Sequence, residues 1–193
     1  VDFGGSTRLA HLKLAGFLHD IGKFSTWIIE EDTGRHRFIK HDDVGAKMSV
    51  PLLKNMNFSN KQIEYIFSMI KNHIYPSQVM SAPEVDFSTQ NGEKVMMRYI
   101  RKMEECVIDN IVLAKADRLS ARGEAVSDEM VDKNISALNK LCEYYLSVKD
   151  TLEPLPILLD GNEIMKLLNL KPSKRLGEIL KALHEAQLSG DIT

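Results

Sequence analysis

Apolar residues fall at Leu9, Leu12, Leu14, Ala15 and Leu18, close to the 3.6-residue period of a helix, and predict one running from Leu9 to His19. The next stretch behaves differently. In WIIEEDTGRHRFI, from Trp27 to Ile39, β-forming residues flank Asp32-Thr33-Gly34, which predicts a short hairpin standing out from the surface. At Ser59 a capping box with Gln62 coincides with a hydrophobic staple between Phe58 and Ile63. A helix should follow from Asn60 to about His73, its apolar face made of Ile63, Ile66, Phe67 and Ile70, with Pro76 just past its end.

Further along, Glu93 to Val107 reads as a helix, Asp109 as the cap of the next one, and Ser127 as the cap of a long helix reaching about Lys149. The predicted class is therefore all-α, a helical bundle. Two prolines between Leu152 and Pro156 mark a boundary, after which Asn162–Leu170 and Ser173–Leu188 form two short helices. The expected division is a main domain over 1–151 and a small helical module over 157–193. Neither an internal repeat nor a low-complexity tract interrupts it, and the methionines read as gap-filling core residues.

Composition narrows the picture only a little. With 193 residues and 44% hydrophobic content the chain can bury one sizeable core, or one core and a small appendage. A formal net charge of −2 argues against a wholly basic nucleic-acid binder, while leaving room for a local basic patch. The two cysteines, Cys106 and Cys142, are too few and too far apart for a disulfide framework or a zinc ribbon, which favours a reducing compartment. No apolar run approaches the roughly 20 residues that cross a bilayer, and Val1 opens no signal-peptide pattern, so no membrane partner and a cytoplasmic location are expected.

Chemistry concentrates in His19-Asp20-Ile21-Gly22-Lys23, where an imidazole and a carboxylate sit side by side at a predicted helix end. A mixed His/Asp set suits a hydrolytic divalent ion that activates water. Two adjacent ligands cannot hold a metal alone, and the chain offers His41 in KHDDVGA, His73 in KNHIYP and Asp117 in AKADRLSAR. Each has a plainer reading: a helix-end histidine bonded to its neighbouring carboxylate, or a buried carboxylate paired with an arginine.

These motifs, in this order, resemble the HD-domain phosphohydrolases, and in particular the HD region of bacterial CCA-adding tRNA nucleotidyltransferases and their poly(A) polymerase relatives. The closing block LLDGNEIMKLLNLKPSKRLGEILKALHEAQLSGDI is similar to the segment that ends those proteins. The resemblance implies a divalent ion (Mg, Mn, Ni or Co) held by His19, Asp20 and Asp117. Lys23 would neutralise phosphate, and His41 and His73 would serve a second metal or the substrate, or stand outside the first ligand shell. It implies phosphomonoester or 2′,3′-cyclic phosphate substrates, including RNA ends, and tRNA or other RNA as partner. Lys171, Lys174 and Arg175 are the candidate phosphate contacts, against the alternative of a solvated helix face. Two other readings stand beside this one: a non-catalytic HD scaffold that shapes an RNA surface, and a free-standing nucleotide phosphohydrolase.

The chain departs from the family pattern twice. HD domains take their first histidine from a helix well upstream, and the upstream candidate here, His11, lies about 12 Å along the same helix from His19, too far to share an ion. His11 is thus expected to be an ordinary helix-face residue, and His36 and His184 solvated side chains. The site would then be N-terminally truncated, or would hold its ion with fewer protein groups and more water. The paired aspartates of a nucleotidyltransferase head are also missing, and Gly4-Gly5-Ser6 reads as a flexible loop, so these 193 residues are expected to perform no nucleotidyl transfer alone.

Overall fold

The computed structural model describes residues 6–83, 85–121, 126–189 and 192; of the expected loop at Gly4-Gly5-Ser6, the two glycines lie outside them. Among the described residues the architecture is helical, in the order α1 (Arg8–Leu18), α2 (Lys23–Thr26), β1 (Trp27–Ile29), β2 (His36–Phe38), α3 (His41–Asn55), α4 (Asn60–Lys71), α5 (Tyr75–Met80), α6 (Gln90–Met103), α7 (Val107–Ser120), α8 (Asp128–Val148), α9 (Gly161–Leu168) and α10 (Lys174–Ser189). The strands form one antiparallel hairpin in which Trp27 pairs with Phe38 and Ile29 with His36.

Local chemistry sets most boundaries. Ser59 and Gln62 make the expected reciprocal box, the Gln62 side chain accepting from the Ser59 amide at 2.7 Å, and Phe58 packs on the core that buries Ile63. Asp160 and Glu163 make a second box at α9. Thr89 caps α6, which therefore starts at Gln90 and ends at Met103, and a 3-10 turn over Glu104–Cys106 separates it from α7. Asp109 is not the cap of α7. It lies inside the first turn, where its carboxylate takes the Arg8 guanidinium and, at 2.7 Å, the Tyr65 hydroxyl, tying α7 to α1 and α4.

The core gathers Leu53, Ile66, Met69, Ile70, Tyr99, Ile100, Ile111, Leu138 and Leu141. Each such aliphatic side chain contributes about 1.5–3 kcal/mol by leaving water. On α1 the apolar pattern misled in part: Ala15 and Leu18 are buried, Leu9 is 58% exposed, and His11 takes an inward position instead. Its ring bonds the Thr7 carbonyl and Ser6 hydroxyl and meets Phe58 and Tyr65 edge-on. Met69, Met80, Met96 and Met103 fill the core as expected, but Met48, Met56 and Met130 are exposed. In the closing segment α9 and α10 pack on each other, α10 leans on α6, and Gln187 donates to the Pro156 carbonyl at 2.8 Å.

Candidate metal centre

His19 follows the last residue of α1, Asp20 opens the turn behind it, His41 begins α3, His73 lies two residues past α4, and Asp117 stands on α7. Five positions spread over almost 100 residues of sequence meet in one place. The His19 Nε2 lies 3.2 Å from Asp117 Oδ1 and 3.3 Å from Asp20 Oδ2. The His41 Nε2 is 3.4 Å from Asp20 Oδ1, the His73 Nε2 is 3.9 Å from the same oxygen, and the two Nε2 atoms are 3.2 Å apart. Lys23 closes one side, its ammonium 2.6 Å from Asp20 Oδ2.

All three imidazoles are oriented in one way. Nδ1 of His19 bonds the Gly16 carbonyl at 2.6 Å, Nδ1 of His41 the Phe38 carbonyl at 2.8 Å, and Nδ1 of His73 the Ile70 carbonyl at 2.6 Å. In each case the acceptor is three residues back along the chain. With Nδ1 so engaged, each ring turns its Nε2 toward the centre, the arrangement that ligating histidines adopt. The His73 turn has a further support: buried Asn110 donates to the Asn72 carbonyl at 2.9 Å and accepts from the Tyr99 hydroxyl at 2.9 Å.

Electrostatics reinforce the convergence. Burial works against charge on His19, but its bonds to Asp117 and Asp20 overcome it and raise the pKa to about 10. Burial likewise opposes the Asp20 carboxylate, yet His19 and Lys23 hold it well below the usual range. Asp117 is lowered chiefly by His19. His73, 1% exposed, is pushed down by burial and stays neutral at physiological pH.

The donor set fits a cation. Asp20 Oδ1 is buried with no hydrogen-bond partner, although such oxygens are costly to leave unsatisfied. Two imidazole lone pairs facing each other at 3.2 Å repel unless a proton or an ion lies between them. One divalent ion beside Asp20 answers both. His19, Asp20 and His73 have ligand atoms within 4.8 Å of one another. His73 thus joins His19 and Asp20, while Asp117, the third ligand expected from the sequence, lies 3.2 Å from His19 Nε2. His11 faces the core away from these residues, and His36 sits on the hairpin, where it accepts from the Trp27 indole at 3.0 Å.

Sequence reasoning missed what lets α3 approach. A Cβ added to Gly22 would lie 2.1 Å from the His41 carbonyl oxygen and 2.6 Å from the Gly45 nitrogen. The glycines inside HDIGK and HDDVGA were the available signal. It also missed Arg98, Arg101 and Lys102 of α6, which with Lys181 of α10 line a cleft of about 590 Å³. Lys171, Lys174 and Arg175 stand exposed near the start of α10, Lys174 at 4.0 Å from Glu178.

A helical bundle here delivers a histidine–aspartate pair, two further histidines and a distant aspartate to one centre. The HD domain pattern matches residues 2–122, and the chain belongs to the HD-domain family. It is 31% identical over 188 residues to the A-adding tRNA nucleotidyltransferase of Deinococcus radiodurans, covering 94% of this chain and 38% of that protein. It is also 31% identical over 180 residues to the CC-adding tRNA nucleotidyltransferase of Thermus thermophilus, covering 93% of this chain and 36% of that protein. The expected resemblance to that family is borne out. The chain spans less than two fifths of the length of these curated relatives.

Proposed function

We propose that this chain is the metal-dependent phosphohydrolase and RNA-binding part of a tRNA nucleotidyltransferase-like protein. One observation carries the reading: three imidazoles, each pinned through Nδ1 to a backbone carbonyl, turn their Nε2 atoms to the Asp20 carboxylate, His41 and His73 to its buried Oδ1, which has no hydrogen-bond partner, and His19 to Oδ2. His19, Asp20 and His73 would hold the ion, with His41 and Asp117 completing the set. When bound, a divalent ion supplies Lewis acidity toward a phosphoryl oxygen and lowers the pKa of water. The protein's own contribution is positioning and charge. Lys23 sits at the open edge, where its ammonium can pair with a non-bridging phosphate oxygen. Asp117 and Asp20 hold the His19 ring in place, and His73, fully enclosed, serves as ligand and not as a substrate contact.

A second reading has its own support, since His19 as an imidazolium between Asp20 and Asp117 forms an ion triad that needs no metal. That is the non-catalytic scaffold. Metal analysis after purification and after chelation separates the two: the phosphohydrolase binds a stoichiometric ion and hydrolyses bis-p-nitrophenyl phosphate or a nucleoside 2′,3′-cyclic phosphate with nickel, manganese or cobalt, whereas the scaffold does neither.

For RNA, the supporting features are the basic positions of α10 and the cleft between α6 and α10, where Arg98, Arg101, Lys102 and Lys181 outnumber Glu104 and Glu185 and the Arg101 Nε is buried without a hydrogen-bond partner. Phosphates would satisfy these cations and set register without reading sequence. The division into a main domain to about residue 151 and a closing module from 157 belongs to the same proposal. It is supported by Ile164, which is buried outside the main core cluster.

A further inference from the structure

Exposed apolar residues gathered into one patch, unlike those scattered singly, mark places where something binds. Beside the metal centre several are so gathered. Phe24 is 93% exposed and Trp27 53% exposed, and together with Lys23, His36 and Phe38 they line an open hollow of about 350 Å³. The hairpin explains their common direction. Trp27 pairs with Phe38 and, two residues along, Ile29 pairs with His36, so side chains of Trp27, His36 and Phe38 lie on one face. The Trp27 and His36 rings are 5.5 Å apart and inclined by 37°, and the indole N–H donates to His36, which locks the two rings into a small platform.

This platform is joined to the His19–Asp20 centre by two residues. Lys23 holds Asp20 at 2.6 Å while its ammonium stands 5.5 Å from the centre of the Phe38 ring. Phe38 gives its ring to the hollow and its carbonyl to Nδ1 of His41. A ligand with an anionic group at Lys23 therefore has an aromatic surface within reach of its other end.

From this continuity we infer that the hollow is a nucleobase subsite. The phosphohydrolase centre acts on nucleoside phosphates or the terminal nucleotide of an RNA, stacking the base on Phe24 and Trp27 while the phosphate lies at Lys23. This deepens the proposed phosphohydrolase function and rests on it. Stacking tolerates any base, because every base offers a π face, so the subsite selects nucleotides over sugar phosphates without selecting a sequence. The polar members fit the same ligand: His36 and Lys23 face ribose and phosphate oxygens, for which a purely apolar protein partner would have no use.

The chain has one tryptophan, so fluorescence excited at the red edge, where its five tyrosines do not absorb, reports this hollow. The experiment titrates adenosine, adenosine monophosphate and ribose 5-phosphate into the wild type and Phe24→Ser, and compares hydrolysis of adenosine monophosphate with that of ribose 5-phosphate in the presence of manganese. Phe24 is almost wholly solvated, so its removal leaves the fold intact. The inference expects adenosine and its monophosphate to quench Trp27. Phe24→Ser should weaken both about tenfold and raise KM for the nucleotide alone, with ribose 5-phosphate unaffected. Equal handling of the nucleotide and the sugar phosphate, unchanged by Phe24→Ser, overturns it and leaves the phosphohydrolase reading standing. Quenching by adenosine with no hydrolysis of any phosphoester keeps the base subsite and removes the phosphohydrolase. Concentration-dependent association that Phe24→Ser abolishes, with no quenching by nucleosides, overturns the inference in favour of an interface between copies of the chain.

Discussion

Gly22 lies against Gly45 so closely that the Gly22 Cα has no room for a methyl group: the nearest atoms would be the His41 carbonyl oxygen and the Gly45 amide nitrogen. This contact brings the start of α3 onto the turn that carries Asp20, and it sets the 3.4 Å approach of His41 to that carboxylate. Both obstructing atoms belong to backbone and cannot swing aside.

Gly22→Ala should therefore cost about 1–3 kcal/mol, the usual penalty of forcing a group into packed structure. It should also reduce bound metal more than the loss of stability explains. Thermal melting and metal analysis on the same sample check this, and a variant with wild-type metal content would refute the argument.

Asp20→Ala and Asp117→Ala should each lower metal content, Asp20→Ala to nothing because it removes the oxygen that faces His41 and His73. Asp117→Ala should weaken binding about 10- to 100-fold, as expected for a group that orients a ligand. His36→Ala should leave metal content unchanged. Hydrolysis of bis-p-nitrophenyl phosphate should track metal content across the series.

Ion binding should strengthen as pH rises. In the metal-free protein His19 has a pKa raised to about 10 after burial is overcome by Asp117 and Asp20, so a proton must leave before Nε2 can bind an ion. The same shift fixes the sign for stability. Because the folded value lies above the ordinary value near 6.5, the His19 contribution is fully present below about pH 6.5 and is lost as pH rises toward 10. The metal-free melting temperature should fall over that window, and should fall less in Asp117→Asn; identical profiles for the two proteins would contradict the assignment.

Asn110→Ala should leave the buried Tyr99 hydroxyl unsatisfied and take from the Asn72 carbonyl one of its two donors, the Tyr75 amide remaining, at a cost of about 1–3 kcal/mol. Tyr99→Phe should cost less, since it removes one donor only. Because the Asn72 carbonyl precedes His73, Asn110→Ala should also weaken metal binding, whereas Tyr99→Phe should not. Urea unfolding and metal titration on both variants test the distinction.

RNA binding should fall steeply with salt. Replacing Lys171, Lys174 and Arg175 by Ala should reduce the slope of log K against log salt by about 2 if all three contact phosphates. An unchanged slope in this variant, with a reduced one in Arg98→Ala/Arg101→Ala, would move the contact to the cleft between α6 and α10.

Much of the fold was legible because its signals are local. Ser59 and Gln62 lie three residues apart, and Asp32-Thr33-Gly34 turns within one hairpin, so neither depends on distant chain. Asp109 shows where that ends: an aspartate near a helix start reads as a cap, and only the arrival of Arg8 and Tyr65 from other helices gives its carboxylate a different task. Leu9 and His11 exchanged expected places for a similar reason, the bundle choosing which face of α1 to cover. At the centre, motif order brought His19, Asp20, His41, His73 and Asp117 under consideration, but no spacing along the chain reveals that His73 comes closer to Asp20 than a remote loop residue would. Phe24 and Trp27 gave no warning either, since exposure is a property of what fails to pack on a residue.

The shared way in which the three histidines are held has a consequence for how this site can change over evolutionary time. Each Nδ1 bonds the carbonyl three positions earlier, and those positions carry Gly16, Phe38 and Ile70, which have no side-chain chemistry in common. A carbonyl belongs to every residue, so substitutions there can drift freely with packing while the imidazole keeps its aim. The orientation of the ligands is thus inherited through backbone shape and leaves no residue signature, and lineages could lose every recognisable neighbour of these histidines and still present the same three nitrogens to the same space.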